Sequence, residues 1–411
     1  MKYTSFYLLT LFFLLHSNTL FTQNNLYSLQ LQLNHSAQLH IPVLIQNNSI
    51  QIPAYKYAQT VTSAFIPTGS SGFNPDKDSI HCKISIYENI LLLKKINNNL
   101  YTGKWIKYSG NKQYSIPCNI TKLQKLPTIN RSLMNLFPKK WEILLSSNTS
   151  SYKAIGNFQF YSEDIPPHLS GSIATPYGDL GNLNGYIQND TLYLSVFNGS
   201  FATQLIGKIF YHSAHIDSIK GQIYYGNWAT ENFIAIPNEN FNLNNQITLN
   251  KIFADTNFTF DKQWKDIDNK VIRIEKNKPL VILIMGTWCP NCTDENKLFT
   301  EWYPSISSSV QVIAISVERT NDNNKALSLL KKYREKLNIP YPIVLLSANG
   351  NQPPFSLFPE IQKIPAFPTT LYFDKQHKIY KATIGFNGPA TNELYLQTQQ
   401  HIQNILQQLT Q

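Results

Sequence analysis

Residues 279–295 read PLVILIMGTWCPNCTDE. The run from Leu280 to Met285 is apolar without alternation, the pattern of a strand buried on both faces, as in the sheet of a layered α/β domain. It leads directly into Cys289, Pro290, Asn291 and Cys292. Two cysteines at this spacing can be a redox pair, half of a metal site or a structural crosslink. Pro290 suits the first turn of a helix, where its missing N–H has no partner to lose. That placement puts Cys289 at a helix N-terminus, where unpaired backbone N–H groups and the positive end of the helix dipole favour a thiolate over a thiol. Cys292 falls one turn further in and is more shielded.

Working outward, the same two-faced pattern recurs in VQVIAISVE (310–318), which precedes a helical stretch, DNNKALSLLKKYREKLN (322–338). YPIVLLSA (341–348), TTLYFD (369–374) and YKATIGF (380–386) supply three more strands. The chain closes with TNELYLQTQQHIQNILQQLTQ (391–411), where Ile402, Ile405, Leu406 and Leu409 share one helical face. Strands alternating with helices predict a small α/β domain over residues 246–411. Residues 24–245 differ in rhythm. Stretches such as HCKISIYENILLLKK (81–95) and GYIQNDTLYLSVFNGS (185–200) alternate apolar and polar residues between Asn-, Asp- and Gly-containing turns. The connections are too short for parallel crossovers, so this region is predicted to be all-β and antiparallel, a barrel or a sandwich. Only INRSLMNLF (129–137) suggests a helical turn, and the Asn-rich PNENFNLNNQITLNKIFADT (237–256) marks the domain boundary. The fold class is therefore multi-domain α+β.

A chain of 411 residues is long enough for at least two domains with proper cores. Its formal charge of +10 is spread thinly, with no basic block that would bind nucleic acid or a membrane surface. Residues 1–23 carry one lysine and an apolar run from Phe6 to Leu15, about half of the ~20 residues a bilayer span needs. They read as a secretory signal peptide or an uncleaved N-terminal anchor. In an exported chain Cys82 and Cys118 are most simply a structural disulfide between neighbouring strands. Export does not make the Cys289 and Cys292 pair structural, because a bridge over two residues closes almost no loop and restrains little unfolded-chain entropy. Zinc wants four ligands, and no second C-x-x-C or H-x-H exists to complete a set. No cofactor-binding motif was found, which leaves the redox pair as the favoured reading.

These residues resemble the thioredoxin superfamily and, within it, the exported TlpA/ResA-like thiol-disulfide oxidoreductases. The resemblance rests on GTWCPNC after an apolar strand, on FPTT with Pro368 in place of the family's cis-proline, and on IGFNGP beyond it. Leu283 stands six residues before Cys289, where thioredoxins carry a buried Asp, and Glu295 stands three after Cys292, where ResA-like proteins carry an acid. An insert around GNQPPFSLFPEIQKI (350–364) also fits. The β-rich region resembles the extensions found in Bacteroidetes-type redoxin-domain proteins. The resemblance implies that Cys289 attacks a substrate disulfide and Cys292 resolves the intermediate with help from Glu295. Pro368 would pair the substrate backbone and Trp288 would shape the rim. It also implies periplasmic or envelope location, disulfide-bearing envelope proteins as substrates and a membrane protein as electron donor. Two rival readings are a binding protein driven by its β domain and a peroxiredoxin-like peroxidase. The peroxidase would need a Thr three residues before its Cys, where this chain has Gly286.

Overall fold

The computed structural model describes residues 26–35, 37–46, 49–54, 64–69, 79–84, 87, 89–109, 112–123, 131–161, 168–243, 260, 263–347 and 364–411. The signal-like segment 1–23, most of the Asn-rich boundary and nearly all of the 350–364 insert lie outside these residues.

The single β-rich region expected from the sequence holds two separate β bodies. Eight antiparallel strands, from β1 (Leu26–Gln32) to β8 (Lys112–Lys122), form a closed barrel in which β1 pairs with β8. The alternation that reads as half-buried strands fills its interior with Leu29, Leu31, Leu39, Val43, Leu91, Trp105, Ile116 and Ile120. Cys82 on β5 (Ser79–Ile84) and Cys118 on β8 are both buried in this core and are not joined to one another. The expected crosslink is thereby corrected, for a geometric reason. The two strands lie three places apart around the wall, at about 4.8 Å per place, whereas a disulfide tolerates Cα atoms up to only about 7 Å apart. Cys82 instead faces Leu91 on the next strand, and Cys118 faces Gly103 and Leu31.

The second body is a nine-stranded antiparallel sheet over residues 140–237, preceded by the short helix α1 (Arg131–Leu136). One of its strands, β10 (Ser151–Tyr161), pairs both with β9 (Lys140–Ser146) and with β11 (His168–Thr175), so eight strands make a continuous ring. Its core holds Trp141, Ile143, Leu145, Leu169, Leu194, Leu205 and Phe233. Barrel and sheet share an apolar seam, because Phe197, Ala202 and Tyr224 of the sheet pack with Trp105 into the barrel's cluster. The rings of Trp105 and Phe197 meet edge to face at 5.2 Å. Lys107 of the barrel lies at this seam, its ammonium 4.1 Å from the Phe201 ring and 4.7 Å from the Trp228 ring. Burial, with the charge of Arg319 nearby, pushes the Lys107 pKa down to about 7.

The C-terminal body is a five-stranded sheet in the order β22 (Ile343–Ser347), β21 (Gln311–Val317), β20 (Leu280–Met285), β23 (Thr369–Phe373), β24 (Ile379–Ile384). The first three are parallel and the last two antiparallel to their neighbours. Every residue of β20 is buried. Val281, Leu283 and Met285 enter one core with Cys289 and Cys292, while Leu280, Ile282 and Ile284 enter the other. Helices α2 (Pro290–Ile306), α3 (Asn323–Leu337) and α4 (Glu393–Thr410) supply Phe299, Leu330 and the four predicted residues Ile402, Ile405, Leu406 and Leu409 to the cysteine-side core. Among the described residues no helix is long and apolar enough to cross a membrane.

Candidate active site

The end of β20 and the start of α2 meet at the cysteine pair. Cys289 is the N-cap of α2 with an extended backbone, Pro290 opens the first turn, and the Cys292 N–H donates to Cys289 Sγ at 3.1 Å. That donor is one of the N–H groups a helix start leaves without an internal partner. In the structure Cys289 and Cys292 are joined as a disulfide with Cα atoms 5.3 Å apart. Both are buried, Cys289 at 4 % exposure and Cys292 at 0 %.

The structure places the other predicted residues around the pair. The Phe367–Pro368 bond is cis, and the Pro368 carbonyl accepts from the Gly385 N–H at 2.8 Å. Trp288 is pinned on several sides. Its Nε1 donates to the Val317 carbonyl at 3.0 Å, the Arg319 guanidinium lies 3.3 Å over its ring, and Phe367 meets it edge-on at 5.0 Å. Glu295, three residues beyond Cys292 and so on the same helix face, is 1 % exposed and reaches across to β23. There its Oε1 accepts from Thr370 Oγ1 at 2.7 Å, while Oε2 is buried with no hydrogen-bond partner among the described residues. Burial pushes the Glu295 pKa up to about 8, against a smaller downward pull from the Thr370 hydroxyl. A carboxyl so placed keeps its proton at neutral pH and can exchange it with a sulfur chemistry that runs near pH 8.

Glu318 was not singled out from the sequence. It sits 1 % exposed just past β21, where it accepts from the Thr287 N–H at 2.9 Å, Thr287 Oγ1 at 2.7 Å and Ser316 Oγ at 2.6 Å. It therefore fixes the turn that presents Trp288 and Cys289. Burial raises its pKa despite these donors. A Glu318→Ala variant strands three buried donors, and urea unfolding is expected to show a loss of roughly 3 kcal/mol.

Sequence reading also missed the residues that approach from the second β body. Asn291, between the cysteines, donates through Nδ2 to the carbonyls of Asp179 at 3.1 Å and Phe386 at 3.2 Å. Asp179 Oδ2 accepts from the Gly388 N–H at 2.6 Å, and Ser200 Oγ donates to the Trp288 carbonyl at 2.7 Å. Burial, with the Asp294 carboxylate nearby, pushes Asp179 up to about 6, against the N–H donors of Gly388 and Gly181. A turn signal was visible at 175–181 and at 198–200, but nothing in either motif says what the turn touches.

Residues 249–382 match the AhpC/TSA family model. The thiol-disulfide oxidoreductase ResA of Bacillus cereus (strain ZK / E33L) is 24% identical over 135 residues, 32% of this chain and 70% of that protein. Among solved structures, StoA from Bacillus subtilis aligns at 23% identity over 33% of this chain and 93% of its own, with a TM-score of 0.26. A putative protein disulfide isomerase from Bacteroides thetaiotaomicron aligns at 17% identity over 37% of this chain and 89% of its own, with a TM-score of 0.28.

Proposed function

We propose that the C-terminal domain is a TlpA/ResA-like member of the thioredoxin superfamily, supported by the AhpC/TSA family match and the similarity to ResA, and that the chain is a thiol-disulfide oxidoreductase that reduces protein disulfides in the cell envelope through Cys289 and Cys292. The observation that carries the proposal is the disulfide at the first turn of α2, with the Cys292 N–H aimed at Cys289 Sγ.

In the reduced enzyme the helix start stabilises the Cys289 thiolate. That thiolate attacks one sulfur of a substrate disulfide, forming a mixed disulfide and releasing the other substrate sulfur as a thiolate, which takes up a proton. Cys292 then gives up its proton and attacks Cys289 Sγ. The second substrate thiol leaves, and Cys289–Cys292 is left oxidised, as in the structure. Two electrons pass from the dithiol to the substrate. Glu295, buried and with Oε2 unpaired among the described residues, is the group we assign to receive the Cys292 proton, in the ionised form that it gains as the pH approaches about 8. The cis Pro368 loop pairs the substrate backbone and Trp288 forms the rim. Export by residues 1–23 puts the enzyme in the periplasm or envelope, where a membrane thiol donor would reduce it again.

A Cys292→Ser variant produced in its native envelope cannot complete the second step. It is expected to accumulate mixed disulfides through Cys289 that run as heavier species and collapse on reduction. Failure to capture any partner, together with a Cys289 pKa at the ordinary thiol value of about 8.5, would overturn the proposal. The peroxidase reading lacks its activating threonine, since Gly286 occupies that position.

A further inference from the structure

The face over which a disulfide substrate must approach comprises Trp288, Asn291, the Pro368 loop and the 385–388 turn. In the structure two turns of the second β body already occupy it. The first, residues 175–181, links β11 to the two-residue strand β12 (Gly178–Asp179) and is internally braced, with Thr175 Oγ1 donating to the Gly178 carbonyl at 2.7 Å and Gly181 N–H to Asp179 Oδ1 at 2.7 Å. It meets the redox domain through Asp179 and through two close backbone approaches. A Cβ at Gly178, which has φ +117°, would collide with Asn291 Nδ2, and one at Gly385, φ +70°, would collide with the Tyr177 backbone. The second turn is shaped by Asn198 Oδ1, which accepts from the Ser200 and Phe201 N–H groups at 3.0 and 2.8 Å. It carries Ser200 to the Trp288 carbonyl and is tied from behind by Asn89 of the barrel, whose Nδ2 donates to the Gly199 carbonyl at 2.6 Å.

We propose that turns 175–181 and 198–201 form a displaceable cover over the dithiol, latched by Asp179, Asn291 and Ser200, and that a partner disulfide reaches Cys289 by taking the place of that cover. The inference rests on the reading of Cys289 as the attacking sulfur. At 4 % exposure Cys289 offers no face to a second polypeptide while the chain is closed. The latch consists of hydrogen bonds, which water or a partner can replace at small net change, unlike the apolar seam that joins barrel and sheet. Opening leaves two donors, Asn291 Nδ2 and the Gly388 N–H, facing the incoming chain. The cover therefore acts in substrate selection, admitting partners that supply backbone or carboxylate acceptors there.

The test uses the full chain, reduced, with alkylation of Cys289 by a polymer-linked maleimide followed by peptide mapping. Removing a latch bond is expected to raise the Cys289 rate about tenfold in Asp179→Ala and in Ser200→Ala. Asp190→Ala, an exposed acid on the same body, is expected to match the parent. An unchanged rate in Ser200→Ala with an unaltered melting curve overturns the proposal, even if Asp179→Ala fails to fold. Faster alkylation in a chain whose Cys292→Ser form traps no partner would keep the cover and sink the reductase. Trapping without any change in rate would do the reverse.

Discussion

A Cys289→Ser variant is expected to lose disulfide reduction by a factor on the order of 10³ or more, while its stability barely changes. The two effects separate for a local reason. Cys289 is the N-cap of α2, and serine is among the best residues at that position, since its oxygen accepts the same first-turn N–H that Sγ accepts now. A hydroxyl, however, is not ionised near neutral pH and cannot take the place of the thiolate in disulfide exchange. An assay of dithiol-dependent disulfide reduction, paired with thermal unfolding, checks both halves. Wild-type turnover by the serine variant would show that the chemistry resides elsewhere.

The second large effect is expected at Glu295. Its carboxyl titrates near 4.5 when exposed and at about 8 in the fold. Between those values the folded chain holds a proton that the unfolded chain has lost, so stability falls as pH rises from about 4.5 to about 8 and is fully present only below that window. Glu295→Gln removes the titration while keeping an acceptor for Thr370. Relative to the parent, the variant is expected to gain ~3–5 kcal/mol at pH 8 and nothing of this at pH 4, measured by urea unfolding of the oxidised form. Its activity should move the other way. With no group to take the Cys292 proton, the resolving step is expected to slow about 100-fold, and the pH profile should lose its inflection near 8. A variant that is both less stable at pH 8 and fully active would remove Glu295 from the mechanism.

The C-terminal domain was legible because its signals are redundant. A strand buried on both faces leaves no room for polar alternation, and the last helix announces its buried face through Ile402, Ile405, Leu406 and Leu409. Cys289 and Cys292 followed from their spacing at a strand-to-helix turn, whereas Glu295 came from the family resemblance. The division of residues 24–245 into two bodies was not legible, because a barrel interior and a curved sheet impose the same period-two pattern and the helical turn at 129–137 does not by itself mark a boundary. Cys82 and Cys118 misled for a related reason. Their separation suits neighbouring strands, yet strand order around a barrel is a long-range property that spacing does not encode. Glu318 left one signal, an acid closing the otherwise uncharged VQVIAIS run. Asp179 and Ser200 left only turn signals and Asn291 none of its own, since their importance arises where separate domains touch.

The shared seam of Trp105, Phe197, Ala202 and Tyr224 has a consequence for engineering the molecule. Two bodies that complete one another's apolar core are best transplanted as a pair, because cutting between them would expose aromatic surface on both pieces. The redox domain meets them through polar contacts, those of Asp179, Asn291 and Ser200 and the hydrogen bond between Tyr87 and Thr293, and is therefore expected to be the easier module to exchange. A graft at residues 237–256 that keeps the barrel with its sheet follows the grain of the molecule, and a graft at residues 123–139 cuts across it.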